Sequence, residues 1–217
     1  MSGLLTRLLV DIPIPRVVKI RQRFDASELD DPIAEVRLRL AGSPHLARIA
    51  PGQRVAVAVG SRGISRIDEI TRAVIEELKR IGAHPFIVPC MGSHGGATAE
   101  GQKQVLAHLG IDEARMGVPV RSSMDVLLLD RLPNGLPVYA DRIAATEADA
   151  IVVINRIKPH TAFRGPIESG LMKMIAIGLG KQKGAEACHQ LGFKHMAENV
   201  PAMARAMMAK LPIRFGV

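Results

Sequence analysis

The chain has 217 residues, 47% of them hydrophobic, which is enough for one sizeable domain with a true core and excludes a disordered tail. Its net charge of +8, from 29 Lys and Arg against 21 Asp and Glu, comes without tryptophan, with one tyrosine and without a tight basic cluster. That pattern argues against a nucleic-acid platform and for small anions, carboxylates or phosphates. Cys90 and Cys188 fit neither a zinc spacing nor a secreted disulfide framework and read as reduced packing residues. With no apolar run of about 18 residues and no cleavable leader, a cytoplasmic protein with no membrane partner is expected.

In chain order, Val17–Phe24 alternates apolar and charged residues, the period-two pattern of a half-exposed strand, and Pro32 to Leu40 reads as a short helix. Residues 1–50 form an entry segment in this reading. From Arg54–Val59 onward, short apolar strands alternate with helical stretches: a helix over Arg66 to Ile81, a strand at Pro85–Pro89 and a helix over Ala99 to Leu109. Val126–Leu129, the turn residues Pro133–Pro137 and a second short strand suggest a hairpin. Ala150–Ile154 is the next strand, followed by helical patterns over Glu168 to Ile177, Lys183 to Leu191 and Lys194 to Lys210. The alternation predicts an α/β fold, an open, mostly parallel sheet with helices on both faces, Rossmann-like, over residues 51–217. The closing run Pro212–Val217 reads as the opening of another strand, so a carboxyl-terminal domain beyond it is expected.

In open α/β sheets ligands bind at the carboxyl ends of strands, and three such ends carry unusual residues. Gly60–Gly63 contains Arg62. Met91–Thr98 contains His94 followed by Gly95 and Gly96, a glycine-rich loop opening a helix, where backbone amides can hold a phosphate beside the imidazole. Asn155–Thr161 contains His160, aimed by the rigid Pro159. Two histidines at separate strand ends suit acid/base chemistry on two faces of a substrate. Arg62, Arg156, Lys158 and Arg164 fall at neighbouring loop positions, where guanidinium groups grip carboxylate or phosphate.

The stretch Met172–His189 allows two readings. Gly178, Gly180 and Gly184 form a G-x-G-x-x-x-G spacing after an apolar run, a variant dinucleotide turn that makes the chain an NAD(P)-dependent oxidoreductase. The methionine- and alanine-rich residues before it favour a helix instead, and Lys173, set among Leu171, Met172, Met174 and Ile175, must snorkel outward or be chemically committed. A third possibility is a noncatalytic domain that binds phosphate or another anion at residues 94–98.

With Ser93-His94-Gly95, Lys158-Pro159-His160, Lys173 and a histidine sixteen residues later at position 189, the chain resembles the amino-terminal domain of the nickel-pincer lactate racemase family and its 2-hydroxyacid racemase and epimerase relatives. The resemblance runs from about Gly60 to His189. It implies a nicotinate-derived nucleotide carrying a nickel pincer, tethered covalently to Lys173, with His189 as the protein ligand to nickel, a donor that suits a square-planar site. It also implies His94 and His160 as alternating general base and acid, and Arg62, Gly95 and Gly96 near the cofactor. The implied partners are a small 2-hydroxy acid and the enzymes that synthesise the cofactor, and the implied activity is an isomerase. Gly60–Ser65 lacks the Thr-Arg-Pro run of the lactate enzymes, which points to a different substrate or a divergent subgroup.

Overall fold

A computed structural model describes residues 7, 9–13, 15–24, 27–61 and 63–217. It divides into two units, Met1–Asp30 and Asp31–Val217. In the first, the described residues between 15 and 24 form no strand, and Val17, Val18, Ile20 and Phe24 are exposed. The alternation expected to make Val17–Phe24 a half-exposed strand therefore has no ladder partner among the described residues; period two describes a face, and without a neighbouring strand the backbone gains nothing from it.

In the second unit the elements are α1 (Pro32–Ala41), β1 (Arg54–Val59), α2 (Ile67–Arg80), β2 (His84–Pro89), α3 (Ala99–His108), α4 (Glu113–Met116), β3 (Val126–Arg131), β4 (Pro137–Asp141) and α5 (Arg142–Glu147). Then follow β5 (Ala150–Ile154), one turn of helix α6 (Leu171–Lys173) continuing as a π-helix over Met174–Leu179, α7 (Lys181–His189), α8 (Met196–Lys210) and β6 (Ile213–Gly216). Asp31 starts α1 by accepting from the Ile33 and Ala34 amides, with Pro32 in the first turn, where its missing N–H costs nothing. Asp141 does the same for α5 through the Ala144 amide.

The main sheet has four parallel strands in the order β2-β1-β5-β6. This is the open parallel α/β sheet expected, with β6 standing where the run after Pro212 predicts a strand. Alternate residues of the central strands face opposite sides. Ala56, Ala58, Ile151 and Val153 meet Ile175, Leu179, Met203 and Met207 on one face, while Val55, Val57, Val152 and Ile154 meet Val74, Leu78 and Leu106 on the other. Leu40, Leu46 and Ile49, from the stretch assigned by sequence to the entry segment, are buried in the second cluster. β3 and β4 form a separate antiparallel hairpin, and Val138 and Ala140 close the first cluster.

β2 is an edge strand that carries two prolines. Residues 85, 87 and 89 point their backbone nitrogens outward, and Ile87 alone of the three has a proton to give, to the Pro119 carbonyl at 2.8 Å. Prolines at such positions leave the inner ladder to β1 intact.

Residues 171–189 position the site. The Cys90 thiol, just after β2, donates to Met174 O, the first carbonyl of the π-helix, at 3.3 Å. The Gly92 amide donates to Gly178 O at 3.3 Å. Gly178 lies so close to the end of β2 that a Cβ there would fall 2.7 Å from Cys90 Sγ and 3.0 Å from Cys90 O. Gly178→Ala should therefore cost about 1–3 kcal/mol as an overpacking change, lowering the denaturation midpoint at constant slope. Gly42→Ala, whose Cβ would meet nothing nearer than 3.9 Å, is the control and should change stability by less than about 0.5 kcal/mol.

Candidate active site

The loops after β1, β2 and β5 all open at the carboxyl edge of the parallel sheet, and α6 with its π-helix lies against them. A Cβ at Gly60, directly after β1, would stand 3.3 Å from Asn155 Oδ1 and 3.5 Å from the Met174 sulfur. Asn155 in turn donates to the Gly170 carbonyl at 3.0 Å, fixing where α6 begins.

His94 is half-buried in the loop after β2. Its Nδ1 lies 2.6 Å from Ser61 Oγ, and because a hydroxyl can donate or accept, this contact supports either neutral tautomer. Gly95, at φ +66°, lies so close to α3 that a Cβ would stand 2.5 Å from the Gly101 carbonyl carbon. Glycine is needed there for backbone packing. Gly96 also has positive φ, at +64°, but faces open space. Thr98 caps α3 through the Gly101 amide at 3.0 Å, and the Ala97 and Thr98 amides bond back to Ser93, His94 and Gly95 carbonyls. Three amides that a phosphate would use are thus spent inside the loop, which weakens the reading of residues 94–98 as an anion cradle.

His160 sits in the loop after β5. Its amide donates to Glu168 at 2.7 Å, Glu168 also accepts from the Gly165 amide at 3.2 Å, and Ala162 N donates to His160 Nδ1 at 3.1 Å. With Nδ1 used as an acceptor, the neutral ring carries its proton on Nε2 and presents a donor. Its ring stacks on Phe163 at a 4.4 Å centroid distance. Burial first, and then the Lys173 charge, hold the His160 pKa below its ordinary value; Glu168 opposes this, and His189 and Arg164 add to it. Both influences favour the neutral imidazole over the imidazolium.

Lys173 ends α6 half-buried, and its pKa is lowered by burial first and by the Lys158 charge second, with Cys188 opposing. More of the amine is thus unprotonated, hence nucleophilic, than at an ordinary surface lysine. At the far end of the same segment, His189 Nδ1 lies 2.6 Å from the Ala185 carbonyl. A carbonyl only accepts, so Nδ1 carries a proton, and in the neutral ring the lone pair is then on Nε2, the tautomer that ligation through Nε2 needs. Phe193 stands edge-on to the His189 ring at 5.6 Å and 6.4 Å from that of His160. Among the described residues no group of three or more His, Cys, Asp or Glu side chains converges as a metal site, so a metal at His189 would take most of its ligands from elsewhere.

The structure thus gathers His160, Lys173 and His189 into one electrostatic cluster, with His94 at the end of β2, separated from β5 by β1. Arg62 lies outside the described residues. Of the other cations read as anion grips, Arg164 donates to the His160 and Phe163 carbonyls within its own loop, and Arg156 donates to the Gly63 carbonyl at 2.8 Å. They brace loops. Beside the cluster, a cavity of about 860 Å³ is lined by Lys158, Glu168, Leu171 and Met172 among others, within the ordinary range of small-molecule sites. Gly178, Gly180 and Gly184 are buried inside helical structure, and a Cβ at Gly180 would lie 2.5 Å from Ala176 O. They serve close packing and do not form a strand-to-helix phosphate turn, so the dinucleotide reading loses its structural basis.

Glu168 and Ser61 escaped sequence reasoning. Glu168 had one signal, an acidic residue in the otherwise basic stretch after His160; Ser61 had none. Lys173→Met should raise the His160 pKa, since it removes the second-largest influence depressing it. A histidine-resolved NMR titration reads this directly, and an unmoved value would break the cluster apart. Lys158→Met should raise the Lys173 pKa and slow its acylation by a limiting amine reagent at mildly alkaline pH, measured by peptide mapping.

No helix among the described residues is long and apolar enough to cross a membrane. Residues 6–200 match the family model described as the lactate racemase N-terminal domain. No curated protein matches the chain.

Proposed function

Since the chain belongs to the lactate racemase family, through its N-terminal domain, we propose that it racemises or epimerises a small 2-hydroxy acid using a nickel pincer nucleotide tethered to Lys173. The observation that carries this reading is the pairing of Lys173 and His189 on one helical segment. One is an amine whose pKa is depressed by burial, and the other is an imidazole whose tautomer is set by the Ala185 carbonyl to leave Nε2 for a ligand. The fit is chemical. A tether needs an uncharged amine, and a carrier that brings its own donors needs one protein ligand, not a trio.

Lys173 would hold the cofactor and His189 Nε2 would ligate the nickel, with Arg62, Gly95 and Gly96 near the nucleotide. When bound, this group supplies a reversible hydride acceptor for the substrate C2 carbon. The chain's own residues handle the proton. As the C2 hydrogen leaves with its electron pair, the hydroxyl proton passes to an imidazole and the carbon–oxygen bond becomes a carbonyl; reversal from the other face needs a second imidazole there. His94, backed by a Ser61 hydroxyl that tolerates either tautomer, is suited to receive a proton. His160 would give one from Nε2 as the imidazolium, a form in which Nδ1 carries a second proton and no longer accepts from the Ala162 amide. In the opposite direction their roles exchange, which again requires the Ala162–His160 contact to open.

Burial and the Lys173 charge lower the His160 pKa and favour its base form, and loss of the Lys173 charge on tethering would relax that depression toward the protonated form needed to give a proton. The substrate is anionic, and Lys158 in the adjoining cavity is a cation available to its carboxylate. The reading requires cofactor-synthesis enzymes as partners and a cytoplasmic setting in which they operate.

The test is intact mass with peptide mapping of the chain produced together with those enzymes and nickel. A nucleotide-sized adduct on the Lys173 peptide, lost in Lys173→Ala, is expected; an unmodified Lys173 in the longest available form of the protein would sink the reading. In the loaded protein, His94→Ala and His160→Ala should each cut racemisation about 100- to 10,000-fold while leaving the adduct in place.

A further inference from the structure

Beneath the site lies a charged network that the proposed chemistry does not use. Lys181 and Asp141 are both wholly buried, at 0% exposure, with Lys181 Nζ 2.9 Å from Asp141 Oδ2. That approach falls outside directed hydrogen-bond geometry and is ionic in character. The directed bonds of the ammonium go elsewhere, to the Pro89 carbonyl at 2.7 Å and to Gln102 Oε1 at 3.1 Å. Gln102 is itself 0% exposed, and its NH₂ donates to the Gly92 carbonyl at 2.7 Å and the His94 carbonyl at 3.2 Å.

The direction of this relay matters. An amide has one accepting and one donating end of nearly identical shape, and only its partners decide which way it points. The Lys181 cation demands the oxygen, so the NH₂ must face the two carbonyls of the His94 loop. Lys181 also holds Pro89, the last residue of β2, from which that loop departs. Its backbone, at φ +55°, is in a region that L side chains rarely adopt, and such a conformation persists only where the surroundings over-determine it. Lys181 lies on the segment between Lys173 and His189, whereas Gln102 and Pro89 flank His94. A buried ion pair is by itself weak evidence for stability, whereas one tied into a fully directed network holds that network in a single arrangement.

We propose that Lys181 is a positioning residue: its buried ammonium, neutralised by Asp141, orients the Gln102 amide and so fixes the His94 loop in register with the segment carrying Lys173 and His189. The side chain is fully enclosed and does not touch substrate. The catalytic meaning of this coupling rests on the reading of His94 as an acid/base residue; the geometric claim does not.

Two variants separate the links, read by amide hydrogen exchange on the chain without cofactor. Lys181→Met combined with Asp141→Asn removes both charges while keeping an oxygen to cap α5, and leaves Gln102 in place. Gln102→Leu removes the relay and leaves the ion pair. Both should speed exchange of the 92–98 amides by about tenfold, the scale of one charge-assisted hydrogen bond, with Ala150–Ile154 unchanged. Parent-like protection of 92–98 in the double variant would overturn the proposal, as would a uniform loss of protection across the sheet, which would make the pair a general stabiliser. Should the double variant not fold, the parent protein decides. Its Gln102 side-chain NH₂ should be held against solvent exchange in NMR spectra, and a freely exchanging NH₂ would overturn the orienting role. In the loaded protein, Gln102→Leu should lower kcat with KM and the Lys173 adduct unchanged. Failure of the adduct to form in the parent would count against the proposed function while leaving the exchange result standing.

Discussion

The seating of residues 174–181 on the carboxyl ends of β1 and β2 is the contact on which the site depends. It is made by a thiol meeting the first carbonyl of the π-helix, a glycine amide meeting another carbonyl, and a glycine at 178 that lets backbone lie against backbone. None of these contacts is strong alone. Together they set where Lys173 emerges, and the turn at Gly180 with the left-handed Lys181, from which α7 departs, sets where His189 emerges. Cys90 is spent on this contact, and burial pushes its thiol up to about 12, so it acts as a packing and hydrogen-bonding group with no thiolate chemistry near neutral pH.

The electrostatics of the cluster follow from the same placement. Burying a lysine near a second cation and an imidazole is unfavourable for all the charged forms, and the structure accommodates this by holding the amine and the ring toward their neutral states. Uncharged groups of this kind carry acid/base and covalent chemistry; fully solvated ones at the same positions would not. Glu168, held toward its ionised form by the His160 and Gly165 amides, anchors the His160 loop and offsets part of the depression of the His160 pKa.

The strands β1, β2 and β5, the helices between them and the hairpin over residues 126–141 were legible because each carries a local periodicity that its own residues enforce. Residues 17–24 show the limit of such patterns. Alternation is necessary for a half-buried strand, but a strand also needs a partner, and that is a tertiary matter. The glycine spacing at 178–184 shows the same limit from the other side: the residues suit a phosphate turn or a close helix contact equally, and the decision came from what lies opposite, namely Cys90 and the backbone of α7.

By itself, the sequence determined the α/β class, the three strand ends bearing unusual residues and the Lys173–His189 spacing, because composition, period and separation along the chain are properties of the chain alone. Only the tertiary structure decided that Arg156 and Arg164 brace loops, that the His189 proton sits on Nδ1, and that Lys181 lies fully buried against Asp141 and Gln102. Each of these depends on the partner a side chain finds across the fold, and the energy of a charge or a hydrogen bond is set by that partner and by the water excluded around it.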